Sequence, residues 1–203
     1  MITIHHLNKS RSKRVIWLLE ELGLEYKIVN HIRDAVTQLA PASLKAIHPL
    51  GKAPIMEANG TVLCESGAIM EYLLAQVNNE HACILADEHP AYYKYLEWLH
   101  FAEGSLGLAV ITKLFMTMET RDGDKPMDGY IAKELAVDLG YINQTLDEQD
   151  YFAGEVFTAA DIMMTIMLEI AQNIGLLNGY PAILRYLEKV ASREAYLIAE
   201  AKG

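Results

Sequence analysis

Within its first 29 residues the chain spells out strand, helix and strand. Ile2 to Leu7 is a short apolar run that opens in alternation. Val15, Leu18, Leu19 and Leu22 then fall at i, i+3, i+4 and i+7, the apolar face of a helix. Gly23 stands where a helix C-cap residue is expected. Tyr26-Lys27-Ile28-Val29 reads as the second strand. Two short strands joined through a helix predict a parallel pair with a right-handed crossover. Between the first strand and the helix lies Asn8-Lys9-Ser10-Arg11-Ser12-Lys13-Arg14. Four cations and two hydroxyls therefore sit where a helix begins, with free backbone N–H groups and the positive end of the dipole. Such a place binds anions. A hydroxyl there can also hold a thiolate by hydrogen bonding, since ionised thiols are favoured at helix N-termini and near cations.

That cluster stands against an acidic background. The 203 residues hold 17 Lys and Arg against 27 Asp and Glu, a net charge of −10. A surface of that sign repels nucleic acid and anionic membranes, so neither is an expected partner. Hydrophobic residues make up 52%, which argues for a packed core rather than disorder. Cys64 and Cys83 form no disulfide framework, and a reducing, cytoplasmic setting is expected. No charged segment followed by a long apolar run marks a signal peptide at the N-terminus. The longest apolar stretch, Ile162 to Ile170, is too short to span a bilayer and is interrupted by Thr165 and Glu169.

The pattern continues as an α/β unit and then changes. Residues 35–47 read as short helical turns around Pro41. Pro54 to Glu57 and Thr61 to Leu63 flank Ala58-Asn59-Gly60, and Asn-Gly is a strong hairpin signal. A helix follows from Ser66, giving the order β-α-β-α-β-β-α. Residues 78–90 are polar and read as a linker ending at Pro90. Everything after is helical in pattern: a long helix running to about Thr117, a loop over Glu119 to Gly129, then a helix carrying Ile131, Leu135, Leu139, Ile142 and Leu146. Thr158-Ala159-Ala160-Asp161 has capping-box spacing ahead of an all-round apolar helix, which belongs in the centre of a bundle. Two helices, Pro181 to Val190 and Arg193 to Ala201, close the chain. The predicted class is α+β in two domains: residues 1–80 as a thioredoxin-like α/β domain and residues 87–203 as an all-α helical bundle.

Four segments, in order and spacing, resemble the cytosolic glutathione transferase family. Ser10-Arg11-Ser12-Lys13-Arg14 resembles the serine-x-x-x-arginine turn of its serine-type, theta- and phi-like members. His48-Pro49-Leu50-Gly51-Lys52-Ala53-Pro54 resembles the asparagine-proline…valine-proline segment whose last proline is cis. Glu65-Ser66 resembles the acidic-serine pair that grips the γ-glutamyl end of glutathione, and Thr158 to Asp161 resembles the capping box of the bundle. His48 replaces the asparagine and Ala53 the valine; Ala53 would act through its backbone.

The resemblance implies roles residue by residue. Ser10 would be the catalytic serine, donating a hydrogen bond to the glutathione sulfur, with Ser12 as the rival donor; either hydroxyl reads equally as a helix N-cap. Lowering a thiol pKa by one or two units takes about 1.4–2.7 kcal/mol, within reach of one hydrogen bond to a charged group at roughly 1.5–3 kcal/mol. Arg11 would add positive potential, or serve only as part of a solvated turn. Ser66 and Glu65 would take the γ-glutamyl carboxylate and amino group. Backbone groups of Ala53, turned outward by a cis Pro54, would pair with the cysteinyl part like an added strand, and Lys52 would meet the glycyl carboxylate. The seven histidines lack ligand spacing for a metal.

The implied activity is conjugation of the glutathione thiolate to a small hydrophobic electrophile, or reduction of an organic hydroperoxide, with glutathione as co-substrate and no metal or redox cofactor. A cytoplasmic homodimer is implied as well. The alternatives are another glutathione-dependent chemistry (isomerase, dehalogenase or peroxidase) and a non-catalytic glutathione-binding module.

Overall fold

A computed structural model describes residues 1–77 and 83–202. The chain divides into two compact units, Met1–Ile84 together with Ser192–Gly203, and Leu85–Ala191. The first part of the sequence-predicted linker (78–90), residues 78–82, lies outside the described residues.

The first unit is built on a four-stranded sheet in the order β2-β1-β3-β4. β1 (Ile2–Leu7) runs parallel to β2 (Tyr26–His31), as the strand–helix–strand pattern requires, and antiparallel to β3 (Ile55–Ala58). β3 and β4 (Thr61–Cys64) form the expected hairpin. Asn59 and Gly60, at φ 52° and 79°, both occupy the left-handed region that a two-residue hairpin turn demands. Side chains alternate across the sheet. Leu7 packs with Leu44 of α2 (Ala42–Ile47) and with Ile55 on one face. His6, pointing the other way, meets α1 (Ser12–Leu22), whose Val15, Ile16, Trp17, Leu18 and Leu19 are fully buried. α3 (Ser66–Leu74) packs beside α1.

The closing helix α9 (Glu194–Lys202) packs on α1 and belongs with the first unit, whereas the sequence alone groups it with the helices before it. The reason is side-chain chemistry between segments far apart in the chain. The Trp17 and Tyr196 rings lie edge to face with centroids 5.0 Å apart, and Arg193 donates twice to Glu21, at 2.7 and 2.8 Å. Lys13 pairs with Glu200 and donates to the Tyr196 hydroxyl at 3.1 Å.

The second unit is helical. α4 (Tyr92–Phe101) passes through a π-helical segment, Ala102–Leu106, into α5 (Gly107–Thr117), so the predicted long helix is continuous. This run has the length and hydropathy to cross a membrane by composition. Its Trp98, Leu99, Ala102, Leu106 and Val110 are buried, and α4 packs on α7. α6 spans Pro126–Glu148 and starts earlier than the sequence suggests. Pro126 sits in its first turn, where a missing N–H costs nothing, and Asp128 accepts from the Lys125 N–H at 2.6 Å. α7 (Ala159–Asn173) is buried on nearly every side of its first three turns, as its pattern predicts. α8 (Pro181–Ala191) packs on α6 and α7.

Candidate active site

Strand direction and order collect the candidate residues at one end of the sheet. β1 ends at Leu7 beside the end of β2 at His31. Because β3 runs antiparallel to both its neighbours, its start at Ile55 lies across from His5 on one side and from Cys64, the end of β4, on the other. The Asn8–Arg11 turn, the 52–54 segment, Glu65-Ser66 and Arg33 therefore all emerge at the same edge.

The turn after β1 is tightly organised. Lys9 adopts the left-handed conformation at φ 53°. Arg33, just beyond β2, donates from Nε to the Asn8 carbonyl at 3.1 Å, and its backbone N–H donates to Asn8 Oδ1 at 2.9 Å. Ser12 is completely enclosed, whereas Ser10 is half-buried. Their hydroxyls are 2.7 Å apart, and the Ser12 N–H donates to Ser10 Oγ at 3.2 Å. Behind them, Ser12 Oγ lies 2.9 Å from His6 Nδ1 and accepts from the Leu7 N–H at 3.3 Å. Burial first, and then the nearby His31, hold the His6 imidazole below its ordinary pKa.

Across the edge, Ser66 opens α3 and is buried, its Oγ accepting from Arg14 Nη1 at 3.2 Å. Glu65 precedes it, exposed, in a left-handed conformation at φ 73° and ψ 115°. Burial and the adjacent Glu65 carboxylate push the Cys64 thiol up, away from thiolate character. The Ala53–Pro54 peptide is cis, with Pro54 buried, Ala53 half-buried and Lys52 exposed. His48 shapes the approach to this bond: its Nδ1 accepts from the Leu50 N–H at 3.3 Å, and its carbonyl accepts from the Gly51 N–H at 2.9 Å.

The four-cation cluster of the sequence separates in space. Arg14 is fully buried and reaches Ser66; Lys13 turns to α9, where it also lies 4.4 Å from the centre of the Tyr196 ring. Lys9 is exposed and Arg11 half-buried at the mouth of the turn. Three participants were missed by sequence reasoning. Arg33 clamps the turn; His6 backs Ser12; and His5 links His31 (3.1 Å) to Glu57 (2.6 Å), with His31 continuing to Ser43 Oγ at 2.8 Å. The adjacency of His5 and His6 fixes their opposite faces, but their partners lie on other elements.

Comparison with known proteins decides the family. Residues 4–81 match the N-terminal domain model of glutathione S-transferase, and residues 108–194 match its C-terminal domain model. Over the whole chain the sequence is 37% identical to glutathione S-transferase 3 of Schizosaccharomyces pombe, spanning 88% of that protein. It is 31% identical to glutathione S-transferase 1 of Saccharomyces cerevisiae, again over the whole chain and 95% of that protein. The chain belongs to the glutathione S-transferase family. A solved glutathione S-transferase from Actinobacillus pleuropneumoniae superposes with a TM-score of 0.88 at 33% identity, over all of this chain and 92% of its own. As a glutathione S-transferase fold, the molecule presents the expected cis Ala53–Pro54 bond, Glu65-Ser66 at the head of α3 and the Thr158–Asp161 box at the head of α7.

Proposed function

We propose that this chain is a serine-type, theta- or phi-like glutathione transferase that uses Ser10 to stabilise the thiolate of bound glutathione. The observation that carries the reading is the exposure of the two serines. Ser12 is wholly enclosed, while Ser10 is half-exposed at the positive head of α1, so Ser10 is the hydroxyl available to a ligand. A hydrogen bond to sulfur costs most to remove when sulfur is ionised, which raises the thiolate fraction at neutral pH.

Each remaining site residue has its part. Ser66 and Glu65 take the γ-glutamyl carboxylate and amino group, and buried Arg14 supplies positive charge beneath Ser66. The Ala53 backbone beside Pro54 pairs with the cysteinyl portion, Lys52 meets the glycyl carboxylate, and Arg11 adds positive potential near sulfur. The thiolate attacks a small hydrophobic electrophile, forming a carbon–sulfur bond as the leaving group departs with its electron pair. The protein contributes proximity and the raised thiolate fraction. A cytoplasmic homodimer with glutathione as co-substrate and no resident cofactor completes the reading, with no nucleic-acid or membrane partner.

The test is retention on immobilised glutathione, followed by assay with a chromogenic aryl halide and a panel of electrophiles that includes hydroperoxides. Retention with turnover is expected. Retention without turnover of any of them makes the chain a glutathione-binding module, and absence of retention removes the reading altogether.

A further inference from the structure

His6 Nδ1, Ser12 Oγ and Ser10 Oγ form a continuous chain with links of 2.9 and 2.7 Å. Two backbone donors are fixed along it: the Leu7 N–H on Ser12 Oγ at 3.3 Å and the Ser12 N–H on Ser10 Oγ at 3.2 Å. A hydroxyl has one proton and two lone pairs, and a neutral imidazole has one N–H and one lone pair. Burial and the charge of nearby His31 favour the neutral His6 ring.

Two arrangements satisfy the short contacts. If His6 Nδ1 carries the lone pair, Ser12 gives its proton to His6, and Ser10 must then give its own proton to Ser12. Ser10 has nothing left for a ligand. If Nδ1 carries the proton, His6 donates to Ser12 and Ser12 donates to Ser10. Both lone pairs of Ser10 are then filled, one by the Ser12 N–H and one by the Ser12 O–H, and its own proton must find an acceptor outside the chain. The other acceptor near Ser12 Oγ, the Leu7 carbonyl, is at 3.4 Å, longer than either link of the chain.

We propose that His6 is a positioning residue: as the Nδ1–H tautomer it drives the Ser12 hydroxyl onto Ser10 and leaves the Ser10 proton directed at the glutathione sulfur. The inference builds on Ser10 as the thiolate donor. Hydroxyl chains of this kind polarise along their length, so the terminal donor is strengthened as well as aimed.

Two measurements test it. Nitrogen NMR of the histidine rings in glutathione-saturated protein at neutral pH is expected to show His6 as the Nδ1–H tautomer; the Nε2–H tautomer overturns the proposal, with no variant needed. Ultraviolet titration of the bound thiol is then run on wild type, Ser10→Ala, His6→Leu, His6→Asn, Ser12→Ala and the Ser12→Ala/His6→Leu double variant. Ser10→Ala raises the thiol pKa. His6→Leu raises it by roughly half a unit or more, about threefold less thiolate at fixed pH. His6→Asn, whose amide N–H replaces Nδ1–H, stays close to wild type. On the Ser12→Ala background His6→Leu adds nothing, because the relay is already cut. If Ser10→Ala leaves the thiol unmoved, both readings fall. If Ser10→Ala moves it but His6→Leu does not, or moves it equally without Ser12, only the role of His6 is overturned.

Discussion

Arg14 Nη1 donates a hydrogen bond to Ser66 Oγ at 3.2 Å, and both side chains are buried. Arg14 lies in the first turn of α1 and Ser66 is the first residue of α3, so one guanidinium ties together the two helix starts that frame the site. Arginine cannot shed its charge, so a permanent cation stands beneath the serine proposed to hold a carboxylate. Arg14→Met is expected to lower stability by about 1.5–3 kcal/mol and to weaken glutathione binding. Arg14→Lys is expected not to restore either, since an ammonium lacks the planar fork. Urea midpoints and glutathione titrations check this, and a lysine variant equal to wild type contradicts it.

Ser66→Ala separates binding from chemistry. Losing one hydrogen bond to the γ-glutamyl end is expected to weaken glutathione affinity roughly tenfold. The sulfur is held elsewhere, so turnover at saturating glutathione stays near wild type. A variant that keeps its affinity and loses turnover contradicts the division of labour.

Helix α9 is held to α1 by Arg193, which donates at 2.7 and 2.8 Å to a Glu21 carboxylate that also accepts from Trp17 Nε1 at 2.9 Å. The Glu21 side chain is only 10% exposed, so removing its partner strands a largely buried charge. Arg193→Ala is expected to cost about 1–3 kcal/mol, read by denaturant unfolding. A loss below a few tenths, as for an ordinary surface pair, contradicts the geometry.

Stability should depend on pH through groups of opposite sign. Asp161 is enclosed, and burial pushes its carboxyl up to about 6 from 3.8 despite hydrogen bonds from the Thr158 and Phe152 N–H groups and the Tyr186 hydroxyl. Between those values the folded chain keeps a proton that the unfolded chain has released, so this contribution falls as pH rises and levels off above about 6. Its size is on the order of 3 kcal/mol. Burial holds His6 and His31 below 6.5, so the unfolded chain takes up protons first and their contribution is lost as pH falls through that range. The stability of wild type relative to Asp161→Asn isolates the carboxyl. It is expected to decline from pH 4 to 7, and a flat or rising difference contradicts the assignment.

Local chemistry was legible in the sequence; long-range partners were not. The Asn59-Gly60 hairpin was readable because only such residues accept two successive positive φ values cheaply. The α7 cap at Thr158 was readable from its capping-box spacing to Asp161, whereas α1 begins at Ser12 with Arg11, and neither serine, at its N-cap position. Pro126 and Gly129 misled, since both signal loops yet fall within α6, where proline suits the first turn. The cationic turn looked like one patch because sequence cannot show that Lys13 meets a helix nearly two hundred residues on; an inward Arg14 is one reading of its helix position, but its hydrogen bond to Ser66 on α3 is set by the fold. The resemblance put Ser10 ahead of Ser12 as the sulfur donor, but only the fold shows that Ser12 is enclosed and Ser10 half-buried. His6 gave no signal beyond its strand position, because its meaning lies in the register that sets it against α1.

The central claim is that Ser10 and the head of α1 stabilise a bound sulfur anion. Ultraviolet titration of the thiol of glutathione bound to wild-type and Ser10→Ala protein tests it most directly. The account predicts a bound thiol ionising about one to two units below the free peptide in wild type, with most of that shift lost in the variant. A thiol that titrates on the wild-type protein as it does in buffer contradicts it.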